Sequence, residues 1–529
     1  MKAVGVQEKY DIRKCDVLII GGGGAGAVAC IEASKHKDLK ILLASKGGVS
    51  QSGLTPTANG GTGTPEVETG FNALVTSGNF LSDQNLCWYL ASEIKNALQK
   101  LRQLGLEVHQ RPGAATVTVP PVMALKKLRR QLLEASNIEL LEDVLITSLI
   151  TDNGKISGAT ALDLTTGDFF VIQATAVVIA TGGLAGELYP HSSNNPFGVS
   201  TAASGTGHAM AYLAGAELVD MEMVHFVPVP LGPRWMHLRY SPQMWTAVPF
   251  CNRHGDVIEP NVNSYPGKSY SYLFTQGIFR ELEKGNGPIY VDHRGAMEPV
   301  YRPKSGIRAS EVRAKLIRLL AIEPRDQERM EIGIGSHLSC GGIRINEKTE
   351  TTLPGLYAAG EVFGGLHCFT AKSLARVWVF GFAAGAQAAN YAQGRQKNGE
   401  LSFEQINREK ERVFQFLEPK RNPVSIGALS KKLPRIMEDH VFIYRDKTGL
   451  TEALKQIRTV KEEVSRVCVS DFKRFNLEWK QAIEFSLTIE VAEIITESAL
   501  AREESRGCHA RRDFPKQDNR KWLKHTVAK

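Results

Sequence analysis

Cys15–Gly26 reads CDVLIIGGGGAG, and this stretch decides the fold. Cys15–Ile20 is a short apolar run of strand length, and Ala27–His36, beyond the glycines, has helical composition. Strand, then GxGxxG, then helix is the context in which the dinucleotide fingerprint has physical meaning. Gly21 permits the tight turn, Gly23 lets the backbone approach a pyrophosphate, and Gly26 lets helix and strand pack closely. Gly24 and Ala25 lie between, at a helix start whose unbonded N–H groups and partial positive charge favour phosphate.

Working outward, the second strand, Lys40–Ala44, ends without the acidic residue that often holds a ribose; Ser45 and Lys46 stand there instead. Gly47–Thr64 is dense in Gly, Ser and Thr, a length and composition suited to wrapping over a large cofactor. A further short apolar strand, Ala176–Ala180, runs into Thr181-Gly182-Gly183, and Thr352–Ala359 leads into Gly360-Glu361. Leu86, Leu90, Ile94, Leu98 and Leu101 form one apolar helical stripe, with Gly105 where a C-terminal cap belongs.

The remaining bounds come from composition. At roughly 150 residues per domain, 529 residues suggest three to four domains, or two with large insertions. Hydrophobic residues at 43% and charged ones at 23% exclude a disordered or fibrous chain. No apolar run reaches the roughly 18–20 residues that span a bilayer. Met1–Lys14 lacks the apolar segment of a signal peptide, so a soluble, cytoplasmic protein is expected. The eight cysteines are scattered without CxxC or metal-ligand spacing, so the chain encodes neither a zinc site nor an iron–sulfur cluster. The formal charge of +8 admits an acidic partner, a membrane surface or an anionic substrate; nucleic acid has no supporting motif. For the basic C-terminal run (Arg502, Arg506, Arg511, Arg512, Lys516, Arg520, Lys521 and Lys524), a solvated face is the expected reading.

Several blocks, in order, then carry a resemblance. They are GGGGAG, Ser45-Lys46, Asn59-Gly60-Gly61, VVIATGG at 177–183 (with Ala180, Thr181 and Gly182) and GTGHAMAYLAGAELVDMEM at 205–223. SHLSCGGI at 336–343, GLYAAGE at 355–361 and ESRGCHARRDFP at 504–515 follow. Together they resemble the flavoprotein subunits of succinate dehydrogenase and fumarate reductase, with L-aspartate oxidase and the adenylylsulfate reductase flavoprotein. The resemblance implies an α/β fold in which a Rossmann-like FAD-binding domain (1–235 and 336–395) is interrupted by an α+β capping domain (236–335). A C-terminal helical domain (400–529) follows. It implies FAD as cofactor, Glu361 on the ribityl chain, and two-electron chemistry at flavin N5. The helix beginning at Ser373-Leu374 would aim its N-terminus at flavin N1/O2. A dipole effect of ~1 kcal/mol there raises a two-electron potential by roughly 20 mV, and Lys372 would add to it.

The departures bear most on the substrate. Counting back seven from Gly61, where succinate dehydrogenases carry a flavin-linking histidine, gives Leu54, so FAD is expected to be non-covalent. The family's FHPT histidine is replaced by Val227, with His225 two residues earlier. The HGANR arginine is absent from His367–Ser373, and the capping-domain arginine is absent from Pro266–Tyr272, which offers Lys268 and Tyr270 as candidate proton donors. His337 matches the substrate histidine of the HYxxGG motif. Removing one partner of a buried charge pair costs ~2–5 kcal/mol, so two lost arginines weaken a dicarboxylate complex by at least about a thousandfold. FVP at 226–228 and HCFTAKSLA at 367–375 look instead like the adenylylsulfate reductase branch.

The resemblance thus implies an FAD-dependent oxidoreductase, the flavoprotein subunit of a fumarate reductase-like complex. Its expected partners are an anionic small-molecule substrate and a separate iron–sulfur protein, with peripheral association at the inner face of a membrane complex as one arrangement. An L-aspartate oxidase-like or adenylylsulfate reductase-like enzyme and a non-catalytic electron-relay flavoprotein remain as alternatives.

Overall fold

Ile12–Ile20 (β1) is apolar on both faces from Val17 onward, as a strand must be when parallel neighbours and covering helices bury it completely. Val17, Leu18 and Ile19 are fully excluded from solvent. The computed structural model describes residues 10–58, 61–64, 66–110, 117–189, 203–231, 250–258, 270–292, 329–367, 373–394 and 399–529. Most of segment 236–335 therefore lies outside the described residues.

From β1 the chain turns into α1 (Gly24–Ala33) and returns through β2 (Ile41–Ala44). Helix α2 (Gln84–Gln103) follows, its N-terminus capped by the Asp83 carboxylate, which accepts from the N–H groups of Asn85 and Leu86. Its stripe from Leu86 to Leu101 is buried as the periodicity requires, and Gly105 closes the end at φ +78°. Strands β3 (Ile138–Leu141), β4 (Val144–Asp152), β5 (Lys155–Asp163) and β6 (Phe169–Ile179) complete most of a seven-stranded sheet. Its order is β3-β2-β1-β6-β5-β4. The pairs from β3 to β6 are parallel, and those of the β4–β5–β6 meander are antiparallel.

After α3 (Thr206–Leu213) come β7 (Leu218–Val219) and β8 (Val224–Pro230). Helix α4 (Tyr270–Glu283) and β9 (Ile289–Asp292) precede the long β10 (Arg329–Ser339). Strands β8, β10 and β9, with Phe250–Cys251 at the edge, make a second, four-stranded sheet. Strand β11 (Gly342–Ile343) pairs with β7, and β12 (Leu356–Ala358) joins the large sheet parallel to the end of β6.

Helix α5 (Ser373–Gln393) packs along α1. The two approach so closely that a Cβ at Gly385 would lie 2.1 Å from the Ala29 carbonyl oxygen. The C-terminal region is helical: α6 (Phe403–Phe414), α7 (Ile426–His440), the short strand β13 (Tyr444–Arg445), α8 (Lys447–Val464) and α9 (Leu477–Ala501). Strand β14 (Ala510–Arg511) pairs with β13. Finally β15 (Val527–Ala528) adds to β7 and brings the chain end back to the middle of the molecule. No helix among the described residues is long and apolar enough to cross a membrane.

The basic tail is not the uniformly solvated face expected from sequence. Arg502, Arg506 and Arg511 are buried and paired. Arg502 bridges Glu222 and Glu504 with Asp220 at 3.7 Å, Arg506 binds Glu504, and Arg511 binds Asp513. Burying them is tolerable because Arg502 and Arg506 have carboxylates buried with them and Arg511 reaches the partly exposed Asp513. Arg512, Lys516, Arg520, Lys521 and Lys524 are exposed, as expected.

Candidate functional site

The β1–α1 turn has no side chain to do its work; its backbone does. Gly21 sits at φ +111°, and a Cβ there would fall 2.4 Å from the Ala180 carbonyl oxygen. A Cβ on Gly26 would lie 1.9 Å from the Gly21 carbonyl oxygen, so α1 can meet the turn only through glycine. Around Gly23, by contrast, nothing lies within 4 Å of where a Cβ would be. Gly23 caps α1 with no side-chain hydrogen bond and the first turn carries no acid, which leaves an electropositive, uncluttered helix end. The N–H of Gly24 donates to Thr55 Oγ1 at 3.3 Å, and Ala25 is buried behind it.

The other sequence-derived cofactor positions gather at the same sheet edge. Ala180 donates its N–H to the Ile20 carbonyl at 2.8 Å, which sets Thr181 and Gly182 beside the turn. Gly182 has open space, and Thr181 Oγ1 and Ser50 Oγ are buried without a hydrogen-bond partner among the described residues. Glu361 follows β12; its Oε1 would lie 2.2 Å from a Cβ on Gly183, so the glycine is what admits the carboxylate. Glu361 accepts the Ser339 N–H at 3.1 Å, and burial raises its pKa against that bond and the nearby Arg376 charge. Ser45 is buried against Gly22, and Gly61 bridges to Thr118. Ser373 and Leu374 open α5. Asn59, Gly60 and Lys372 lie outside the described residues. A dinucleotide fits this cradle. Its open glycine, the hydroxyls of Thr181 and Ser50 and the acid-free helix end offer donors and space for a diphosphate and its ribose or ribityl groups.

Lys46 has a different neighbour. Its Nζ bonds the Glu484 carboxylate on α9 and lies 3.3 Å from Ser204 Oγ. Lys480 holds the other Glu484 oxygen at 2.6 Å. Nearby Glu187 has its pKa raised to about 7 by burial first and by Glu484 second. A carboxyl raised above its unfolded value penalises the folded state fully above pH 7, progressively less as pH falls below 7, and no longer once pH reaches the unfolded value near 4.5. Glu187→Gln is therefore expected to stabilise the protein at pH 8, by up to about 3 kcal/mol, and to have no effect near pH 4.5. Chemical denaturation at the two pH values checks this.

The substrate histidines expected from sequence come together. Strand β8 pairs antiparallel with β10, and the register slips between His225 and Phe226. That bulge turns His337 toward His225, bringing their Nδ1 atoms to 3.1 Å. Burial holds His225 well below its ordinary pKa, helped by His337, and lowers His337 to about 4. At neutral pH the pair is uncharged and offers hydrogen bonds without a fixed positive charge. The backbone of Tyr270 begins α4, its side chain and Lys268 being outside the described residues. Two residues on, Tyr272 is buried with its ring 6.5 Å from His225.

Residues 16–373 match the FAD binding domain family, and residues 430–529 match the fumarate reductase flavoprotein C-terminal family. The chain belongs to the fumarate reductase and succinate dehydrogenase flavoprotein family. It is 30% identical to a fumarate reductase (CoM/CoB) subunit of Methanothermobacter marburgensis, over 96% of this chain and 95% of that one. The quinol fumarate reductase of Escherichia coli has the same fold at a TM-score of 0.83 and 26% identity, covering 98% of this chain and 94% of the other. Adenylylsulfate reductase of Archaeoglobus fulgidus shares the fold at a TM-score of 0.78 and 20% identity, with 99% and 96% covered. The protein is thus an FAD-dependent oxidoreductase of this flavoprotein family.

Three features of this flavoprotein escaped sequence reasoning. Asp220 is fully buried between His367 Nε2 at 2.9 Å and His525 Nδ1 at 2.6 Å. Those two histidines hold its pKa well down despite its burial, while Asp220 raises that of His525. His367 is thereby fixed six residues before α5. The second feature is Arg376, buried in the first turn of α5, stacked 4.0 Å over Phe363 and 3.4 Å from the Glu361 carbonyl oxygen. It brings a guanidinium to the cradle three residues after the arginine-free run His367–Ser373. The third is Arg445, considered below. Nothing local marked these residues, because the partners that define them, such as His367 and His525 for Asp220 and Glu222 and His509 for Arg445, lie far along the chain.

Proposed function

We propose that the chain is the flavoprotein subunit of a fumarate reductase-like complex that exchanges two electrons with an anionic small molecule, for which fumarate is a poor substitute. The observation that carries this reading is the neutral His225–His337 pair on β8 and β10, beside the Glu361 end of the FAD cradle. Bound FAD supplies the two-electron chemistry at N5. Its electrons go to or come from a separate iron–sulfur subunit, since the eight cysteines here have no cluster spacing. The names of relatives support a multi-subunit setting: the Methanothermobacter protein is named as one subunit of its enzyme, and a Mycobacterium smegmatis neighbour is the Sdh1 complex.

Within this reading Gly21–Gly26 and Thr181 hold the FAD diphosphate side, Glu361 the ribityl chain, and Ser373-Leu374 the pyrimidine edge. His337 and His225 orient the substrate by hydrogen bonds, and Lys268 or Tyr270 delivers the proton. Segment 236–335 forms the cap over them. The protein works in the cytoplasm, at the inner face of a membrane where its partners are anchored there. FAD is non-covalent because leucine occupies position 54. Acid precipitation of the holoprotein is therefore expected to leave all flavin in the supernatant; flavin remaining in the pellet contradicts that assignment.

Purification with native partners tests the whole reading. The expected result is an iron–sulfur protein that co-elutes and is reduced or oxidised through the flavin by an anionic acceptor or donor. A flavoprotein that turns over alone, with oxygen as its only acceptor, favours the L-aspartate oxidase-like alternative.

A further inference from the structure

Five arginines are buried among the described residues, and the three on the chain end, Arg502, Arg506 and Arg511, each have a carboxylate. Arg376 lies against Glu361 and the Phe363 ring. Arg445, on β13, is 1% exposed and makes no ion pair among the described residues. Its Nε donates to the Phe442 carbonyl at 3.0 Å. Its Nη1 donates to the Glu222 carbonyl at 2.8 Å and to His509 Nδ1 at 3.0 Å. Nη2 is buried and has no partner among the described residues.

Those contacts fix the guanidinium in place without a paired carboxylate among the described residues. His509 does not compensate it. Its Nε2 faces the Arg502 carbonyl at 3.1 Å, which makes Nδ1 a neutral acceptor. Burial and the Arg445 charge both hold that ring well below its ordinary pKa. A buried cation whose partners among the described residues are all neutral acceptors is stable only at a cost, unless an anion completes it. A second line of contacts ties this arginine to the histidine pair. Its Nη1 holds the carbonyl of Glu222, three residues before His225, and the Tyr272 ring lies 6.5 Å from His225. Tyr272 also packs with Cys508, beside His509, and with Cys340, three residues after His337.

We propose that Arg445 is the anion-binding residue of the substrate site, its Nη2 edge receiving an oxyanion of the molecule that His225 and His337 orient. The proposal rests on the functional reading above and deepens it. A cation from the C-terminal region takes over a charge-binding task that the lost arginines no longer perform. A planar fork already held on two nitrogens is preorganised to grip a carboxylate, sulfate or phosphate oxygen.

The test uses holoprotein and inorganic sulfate, an unreactive dianion. Wild-type protein is expected to show a saturable sulfate-dependent rise in melting temperature and a matching change in the flavin absorbance spectrum. Arg445→Gln should weaken sulfate at least tenfold by both readouts while retaining FAD. Arg445→Lys, which keeps the charge and loses the fork, should fall between. Should the Gln variant not fold, the Lys variant with Tyr272→Phe carries the comparison. Arg344→Gln, at an exposed ion pair with Glu217, serves as control and should bind sulfate as wild type does. Wild-type protein without a saturable sulfate effect, or folded Arg445 variants with unchanged sulfate affinity, would overturn the proposal. The functional reading fails separately, when no anionic donor or acceptor exchanges electrons with the flavin.

Discussion

Arg502→Met is expected to destabilise the protein by ~3–5 kcal/mol, among the largest effects of any single substitution outside the cofactor site. The guanidinium is fully buried, with Nε on Glu222, Nη1 on Glu504 at 3.0 Å, and Asp220 3.7 Å away. It also donates to the carbonyls of Trp522 and Lys524 at 3.0 and 2.8 Å, so it fastens the chain end that completes the β7–β15 pairing. A methionine fills part of the volume and leaves Asp220 and Glu222 without their shared cation. The expected outcome is an earlier denaturation midpoint and rapid proteolytic loss of the residues after Arg511. Arg502→Lys should recover little, because a single ammonium cannot face three carboxylates and two carbonyls at once. An unchanged midpoint would mean that the chain end is held some other way.

Gly26→Ala is expected to yield protein without flavin. The new Cβ would stand 1.9 Å from the Gly21 carbonyl oxygen, in backbone that cannot swing aside like a side chain. Helix α1 must move away from β1, and the cradle opens with it. A strain on the order of 3 kcal/mol lowers FAD affinity by more than a hundredfold. Gly23→Ala separates two effects, since nothing lies within 4 Å of its Cβ in the polypeptide. That variant should fold with near-native stability and still fail to hold FAD, because the methyl occupies the approach of the diphosphate. Flavin-to-protein absorbance ratios with thermal melts of both variants distinguish these outcomes.

Much of this was legible in the sequence because the responsible physics is local. Strand, glycine turn and helix follow one another within Cys15–Ala33, and the apolar stripe of Leu86–Leu101 is a periodicity along one helix. FAD itself could be named because several short blocks recur in a fixed order. What stayed hidden depends on pairs distant in sequence. Lys46 reads as a cofactor position, and nothing near it in sequence shows that Glu484, on α9, lies beside it. The C-terminal arginines read as surface charge because the Glu222 and Asp220 that bury Arg502 come about 280 positions earlier. Arg445 has no motif at all; its meaning comes from what does not face it. The histidine pair lies between these cases: both residues were visible, but only a register slip in β8–β10 brings them to 3.1 Å.

On the proposed reading this flavoprotein keeps the family's redox machinery, with a substrate site rebuilt around the neutral His225–His337 pair. Anaerobic photoreduction of the holoprotein, followed by addition of acceptors one at a time, tests it most directly through flavin absorbance. The reduced flavin is predicted to persist with fumarate and to be reoxidised by another anionic acceptor, with adenylylsulfate first in the panel. Prompt, stoichiometric reoxidation by fumarate would contradict the account and place the protein with ordinary fumarate reductases.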